Sequence, residues 1–230
     1  MLEFRTVSIV LGLLVRFNDP VCMPGTREAP DARLARGALL IGTPGETYVE
    51  KRGIPVEVAD RAGVRFDADW SGRAAVIVPM RDRDDGLCSV HGRYLRHTGH
   101  ENKMLTIGPG GGAISVLGGW RLDPIILVEG LFDALSLAVC GYGSVATVGR
   151  WAPWLPDVCA GKVVWLAFDA NRPGELEAAR YEQHLTTANT CRLPPPDRCK
   201  DWNTALVKRG RATVEAWLRH HLTRTQAIHA

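Results

Sequence analysis

Two carboxylates in this chain stand where carboxylates do chemistry. Residues 125–128 form a short, wholly apolar run, and Glu129 is the first charged residue after it. Residues 163–168 form another, and Asp169 is the first charged residue after that. Apolar runs of this length, bounded by charge and glycine, predict buried strands of a parallel sheet. If the two strands are neighbours, Glu129 and Asp169 face each other across a crevice at the carboxyl ends, where doubly wound sheets bind ligands. Paired hard oxygen ligands of this kind suit magnesium.

The elements needed to hold these groups can be read around them. Residues 131–140 predict an apolar helix ended by Gly141, and 145–148 a strand closed by Gly149. Residues 173–187 predict a helix with Pro173 in its first turn and Ala178, Tyr181 and Leu185 on one face. A fourth strand is expected at 190–193, and three prolines at 194–196 form a stiff loop leading to Lys200-Asp201-Trp202-Asn203. Asp201 opens a helix over 202–209, and a last amphipathic helix at 214–222 buries Val214, Trp217, Leu218 and Leu222. The tail 223–230 is expected to fray. Strands alternating with helices predict a doubly wound α/β layer. Asp133, one turn into its helix, is open to two readings: a partner of the helix dipole, or an acid supporting the site. By position alone Asp201 is an N-cap.

Upstream, Thr43, Pro44 and Glu46 form a capping-box pattern for a helix that ends at Gly53, and Pro55 opens a short helix over 56–62. Residues 74–80 and 87–95 predict a hairpin around an Asp-Gly turn. The glycines at 108 and 110–112 lack the lysine and hydroxyl of a P-loop. They are read as a turn between strands, with close approach to a nucleic-acid backbone as the second reading. Residues 18–45 look like a loop or linker around a short segment at 32–40. The apolar stretch 6–15 is too short to span a bilayer, which needs about 20 residues, and is expected to dock as a strand or helix.

Of the 230 residues 46% are hydrophobic, enough for a core, and 23% are charged, as in ordinary globular proteins. A formal net charge of +3 permits an anionic partner without requiring one. The six cysteines show no CxxC pair, so reduced thiols, a cytoplasmic setting and no zinc site are expected. Arg81, Arg83, Arg93, Arg96 and Lys103 are interleaved with acids and by composition form a solvated face.

Glu129-Gly130, Asp133 and the Asp169-Ala170-Asn171 triplet followed by Gly174 closely resemble the Toprim module. That module has a glutamate after its first strand and an Asp-x-Asp at the end of a later one. Asn171 stands where the family usually has its second aspartate. An amide carbonyl can still ligate a metal but brings no charge, so weaker binding is expected, with high magnesium or a preference for manganese. Lys200-Asp201-Trp202-Asn203 matches a segment of plasmid and phage primases. The resemblance to primases continues upstream in Gly42-Thr43-Pro44 with Glu46, Tyr48 and Arg52-Gly53-Ile54. It continues in Ile77, Pro79 and Arg81-Asp82 followed by a strand with Gly92-Arg93, and in Gly108-Pro109 with Gly111-Gly112-Ala113-Ile114, with Lys103 just ahead.

The resemblance implies a Toprim fold, a doubly wound, mostly parallel sheet flanked by helices, over 121–222. A smaller mixed α/β subdomain of primase type precedes it at 42–120, after an extension at 1–41. It implies Glu129, Asp169 and Asp133 as catalytic residues, and Glu129, Asp169, Asn171 and Asp201 as the metal set. Arg81, Arg93 and Lys103 are implied as nucleic-acid contacts. The implied activity is synthesis of short RNA primers from ribonucleoside triphosphates on a single-stranded DNA template, with Mg2+ or Mn2+ as cofactor. No zinc-ribbon pattern or helicase segment is seen, so a separate replicative helicase is an expected partner and a membrane is not. Two alternatives stay open: a non-catalytic single-stranded nucleic-acid-binding module, and a Toprim nuclease.

Overall fold

A computed structural model describes residues 29–226. The apolar stretch at 6–15, and Cys22, lie outside the described residues. The chain opens with helix α1 (Pro30–Ala35), α2 (Pro44–Glu50) and α3 (Val56–Arg61). A four-stranded antiparallel meander follows: β1 (Arg65–Trp70), β2 (Arg73–Arg81), β3 (Leu87–Tyr94) and β4 (Met104–Ile107). The expected hairpin is β2–β3. β1 was not expected, although residues 65–70 alternate polar and apolar; its pairing carries a register shift after Asp67. Asp67 is nonetheless buried, with Arg36 3.7 Å away.

The remaining strands are β5 (Ile114–Val116), β6 (Ile125–Val128), β7 (Ser144–Ala146), β8 (Val163–Leu166) and β9 (Asn189–Arg192). They form a second sheet in the order β5-β7-β6-β8-β9, in which β5 alone runs antiparallel. The helices are α4 (Leu131–Val139), α5 (Leu155–Cys159), α6 (Arg172–His184), α7 (Trp202–Arg209) and α8 (Arg211–Gln226). This is the expected doubly wound layer preceded by a mixed α/β unit. The second sheet begins at β5, upstream of the expected boundary at 121. Backbone bonds of 2.8 and 2.9 Å between Arg81 and Ala113 join the end of β2 to the residue before β5. α8 runs beyond the expected 214–222 at both ends, and four residues of the expected frayed tail lie within it.

Local chemistry sets several of these boundaries. The Thr43 hydroxyl caps α2 by accepting from Gly45 N, and Glu46 reaches back to Gly42 N at 2.7 Å. The capping box is thus displaced by one residue from the expected pattern. β7 stops at Ala146, two residues before the expected end, because Val148 takes a positive φ of 48° and turns the chain. α4 is buried from Leu131 to Ala138, as a helix packed on both sides must be. It packs on its own sheet and against α3 and α7, and the cluster it belongs to runs from Ile126 and Val128 to Val76, Val78 and Met80 of β2. The two units therefore share a continuous core. On the opposite face of the second sheet, Ile125, Leu127, Val164 and Phe168 pack against Ala178, Tyr181 and Leu185 from α6 and the turn after it.

Candidate active site

The strand pairing decides the site. β6 and β8 are direct parallel neighbours, with Leu127 opposite Leu166, so the chain leaves both strands at one end. Glu129 and Asp169 line a cleft of about 450 Å³ there, with Asp133, Lys200 and Asp201. His91 and Arg93 of β3, Met104 of β4 and Arg52, which follows α2, also line the cleft.

Each acid is held by its backbone surroundings. Val148 N donates to Glu129 O at 2.8 Å, and Ala167 N to Leu127 O at 2.8 Å. Arg192 of β9 donates to Leu166 O at 2.8 Å and to Asp169 O at 2.9 Å, clamping the chain as it leaves β8. Ala170 N donates to Lys200 O at 2.7 Å, which fastens the Asp169 loop to the Asp201 loop. Trp202, fully buried, donates its indole N–H to Ala167 O at 2.8 Å. Gly174 is required by close approach: a Cβ there would lie 2.1 Å from Asp169 O.

Asp201 caps α7 through Oδ1, which accepts from Thr204 N at 2.6 Å, and Lys200 Nζ lies 3.3 Å from Oδ2. The cap and the cleft position therefore coexist in one side chain. Asp133 is buried and accepts from Trp202 N at 3.0 Å and Asn203 N at 3.2 Å. It joins α4 to the start of α7, which favours the supporting role over a dipole partner exposed to water.

Burial raises the Asp133 carboxyl to about 7, reinforced by Asp201 and Asp169. Loss of water around Glu129 lifts its pKa, as do Asp169 and Glu177. Asp169 is raised by burial and by Asp201, against the pull of Lys200. The acids thus repel one another, with Lys200 and Arg192 offsetting part of that repulsion. Such an all-oxygen, charge-repelled set fits a hard divalent cation. Among the described residues no group of three or more His, Cys, Asp or Glu side chains converges to hold a metal ion.

Three expected site residues are placed differently. Asn171 is the N-cap of α6: its Oδ1 accepts from Gly174 N at 2.9 Å, and its Nδ2 donates to Asp169 Oδ2 at 3.2 Å. The carbonyl oxygen expected to ligate a metal is taken by the helix end, because a cap needs an acceptor. Arg81 does not line the cleft; it donates to Asp85 O in its own turn at 2.8 Å. Lys103 is exposed and lies outside the lining. Arg93 does line the cleft, and its Nε is buried without a hydrogen-bond partner.

Other cleft groups were not singled out from the sequence. Arg52 stacks over Phe132 at 4.1 Å and Tyr48 at 4.9 Å, and donates to Asn203 Oδ1 at 3.1 Å. Asn203 in turn donates to Arg52 O at 2.9 Å and Ser136 Oγ at 3.1 Å. Both residues fall within segments quoted above, Arg52-Gly53-Ile54 and Lys200-Asp201-Trp202-Asn203, and that was their only signal. His91 carried none.

Residues 126–206 match a family model described as Toprim-like. No curated protein matches the chain by sequence. Several solved structures are similar to it. The Aquifex aeolicus primase (zinc binding and RNA polymerase domains) is 16% identical, with a TM-score of 0.62 over 84% of this chain. The chain spans 62% of that protein. The RNA polymerase domain of Mycobacterium tuberculosis primase DnaG is 16% identical, with a TM-score of 0.62 over 83% of this chain and 81% of that one. The DnaG primase catalytic domain bound to ssDNA is 20% identical, with a TM-score of 0.57 over 83% and 77%. At these identities the likeness is one of fold. The chain thus carries a Toprim-like domain at 126–206, set within the fold of a primase catalytic core.

Proposed function

We propose that this chain is a primase-like nucleotidyltransferase, joining ribonucleotides into short primers on single-stranded DNA with a divalent cation at Glu129 and Asp169. One observation carries the reading. Mutually repelling carboxylates and the guanidinium groups of Arg52 and Arg93 line one cleft, and Arg93 keeps a buried donor unpartnered. Acids and guanidinium groups in one cleft suit a polyanion held against a metal.

Glu129, Asp169 and Asp201 would hold magnesium, or manganese in its place. When bound, the ion supplies Lewis-acid polarisation of phosphoryl oxygens and neutralises charge on the leaving group. The chain's own residues do the positioning. Arg93 and Arg52 would contact phosphate oxygens of template or triphosphate, and Arg192 and Lys200 fix the loop that carries Asp169. Asp133 holds the start of α7, and with it Asp201, in register with Asp169. Catalysis of this kind is mostly positioning and electrostatics.

A second reading, a nucleic-acid-binding module without catalysis, is favoured by the Asn171 amide, which points an N–H at Asp169. The test is incubation with single-stranded DNA, labelled ribonucleoside triphosphates and magnesium or manganese. Glu129→Gln and Asp169→Asn serve as controls that keep size and remove charge. New short RNA made by the wild type and absent with both variants supports primer synthesis. Shortened DNA would indicate a nuclease, and binding without product the non-catalytic module.

A further inference from the structure

The face of β3 that borders the cleft carries His91 and Arg93, two residues apart and so on the same side. In the sheet His91 lies between Val78 and Thr106, and Arg93 between Val76 and Met104. His91 is only 3% exposed, yet it forms part of the cleft wall. The Thr106 hydroxyl holds its Nδ1 at 2.9 Å, which fixes the ring plane. Its Nε2 makes no hydrogen bond to a described residue and is not among the fully enclosed unpartnered side-chain atoms, so it keeps access to solvent where the residue lines the cleft. A ring held in place by one nitrogen and open to the cleft at the other is set to hydrogen-bond a ligand that displaces water there.

The electrostatic setting narrows what that partner is. Burial, with the charges of Arg150 and Arg93, pushes His91 down to about 4, so the ring is neutral in ordinary conditions. Phosphates on this wall are served by Arg93 and Arg52, and a neutral ring adds little to them. Met104, 48% exposed in the neighbouring row, offers the apolar surface on which the flat part of a nucleotide can rest.

We propose that His91 is a specificity-determining contact for the ligand of this cleft, its Nε2 hydrogen-bonding an uncharged polar group of a nucleotide. Two parts of a nucleotide present that chemistry, the sugar 2′-hydroxyl and a base edge. The proposal rests on the nucleotide-binding reading given above. A pocket built to hydrogen-bond such a group rejects analogues that lack it, because its own polar atom is then left unpaired.

The test is equilibrium binding of ATP, 2′-deoxyATP and CTP, each with magnesium, to the full chain and to two variants. His91→Asn places an amide near Nδ1 and keeps the Thr106 bond without reaching the position of Nε2. His91→Gln reaches it. The expected result is a loss of about five- to tenfold in His91→Asn, the size of one neutral hydrogen bond. The melting temperature should be unchanged, and His91→Gln should restore most of the affinity. Loss for ATP and CTP with 2′-deoxyATP spared identifies the sugar hydroxyl; loss for both adenine nucleotides with CTP spared identifies the base edge. Unchanged binding in His91→Asn, a uniform loss across all three ligands, or no rescue by His91→Gln overturns the contact and leaves the cleft reading standing. A wild type that binds none of the three overturns both.

Discussion

Asn171 donates its amide N–H to Asp169 Oδ2 over 3.2 Å while its own Oδ1 closes the first turn of α6 on Gly174 N. One side chain thus both ends the loop and occupies a carboxylate oxygen that a metal would use. Asn171→Asp keeps the cap but replaces that N–H with a second negative oxygen beside Asp169. Without metal the variant should melt a few degrees lower, on the order of 1 kcal/mol. Magnesium should then raise its melting temperature by more than it raises that of wild type. Thermal melts across a magnesium titration check both signs. Equal metal responses in the two proteins would show that this position does not tune the site.

Asp133 should prove structural in one substitution and electrostatic in another. Asp133→Ala leaves the backbone N–H groups of Trp202 and Asn203 without their acceptor in a buried place, at a cost of about 2–4 kcal/mol. Asp133→Asn keeps an acceptor and removes a charge that burial and two neighbouring acids oppose. It should match or exceed wild-type stability at pH 8 in metal-free denaturant titrations. A loss equal to that of the alanine variant would mean that the charge itself holds α7.

His91 sets an acid-side limit on stability. Its folded pKa of about 4 lies below the ordinary value of 6.5, so the unfolded chain takes up the proton first. Its stability contribution is therefore complete above pH 6.5 and is lost as pH falls toward 4, by about 3 kcal/mol at most. His91→Asn should flatten the stability–pH curve in that window relative to wild type. Parallel curves for the two proteins would assign the acid sensitivity to other groups.

Only part of the arginine-rich hairpin should matter for nucleic acid. Arg93→Ala should weaken single-stranded DNA binding and reduce the slope of log affinity against log salt by about one, as loss of a phosphate contact does. Arg81→Ala should change neither, since its guanidinium bonds within its own turn. Lys103→Ala, outside the cleft lining, should have an effect smaller than Arg93→Ala. Affinity measured at several salt concentrations separates the three. An equal effect of Arg81→Ala and Arg93→Ala would move the binding path onto the hairpin turn.

What the sequence determined is what depends on neighbours a few residues apart. The all-apolar runs before Glu129 and Asp169, the caps at Thr43 and Asp201, and the Ala178–Tyr181–Leu185 face of α6 all follow from short-range periodicity and capping chemistry. Even the parallel pairing of β6 with β8 was anticipated as a condition for the site. Tertiary structure decided which polar groups meet. Arg52 reaches Asn203 across 151 positions of chain, His91 is buried on the cleft side of β3, and Arg81 turns away into its own loop. β1 was legible in the alternation of residues 65–70, but the burial of its charged Asp67 beside Arg36 is a pairing no local pattern encodes. Asn171 shows both levels at once. Its place before a helix was legible, but the direction of its oxygen was set by the Gly174 N–H that needed an acceptor. The charges of the site are likewise collective: Asp133 sits near 7 because α4, the end of β8 and the start of α7 bring their acids together out of water.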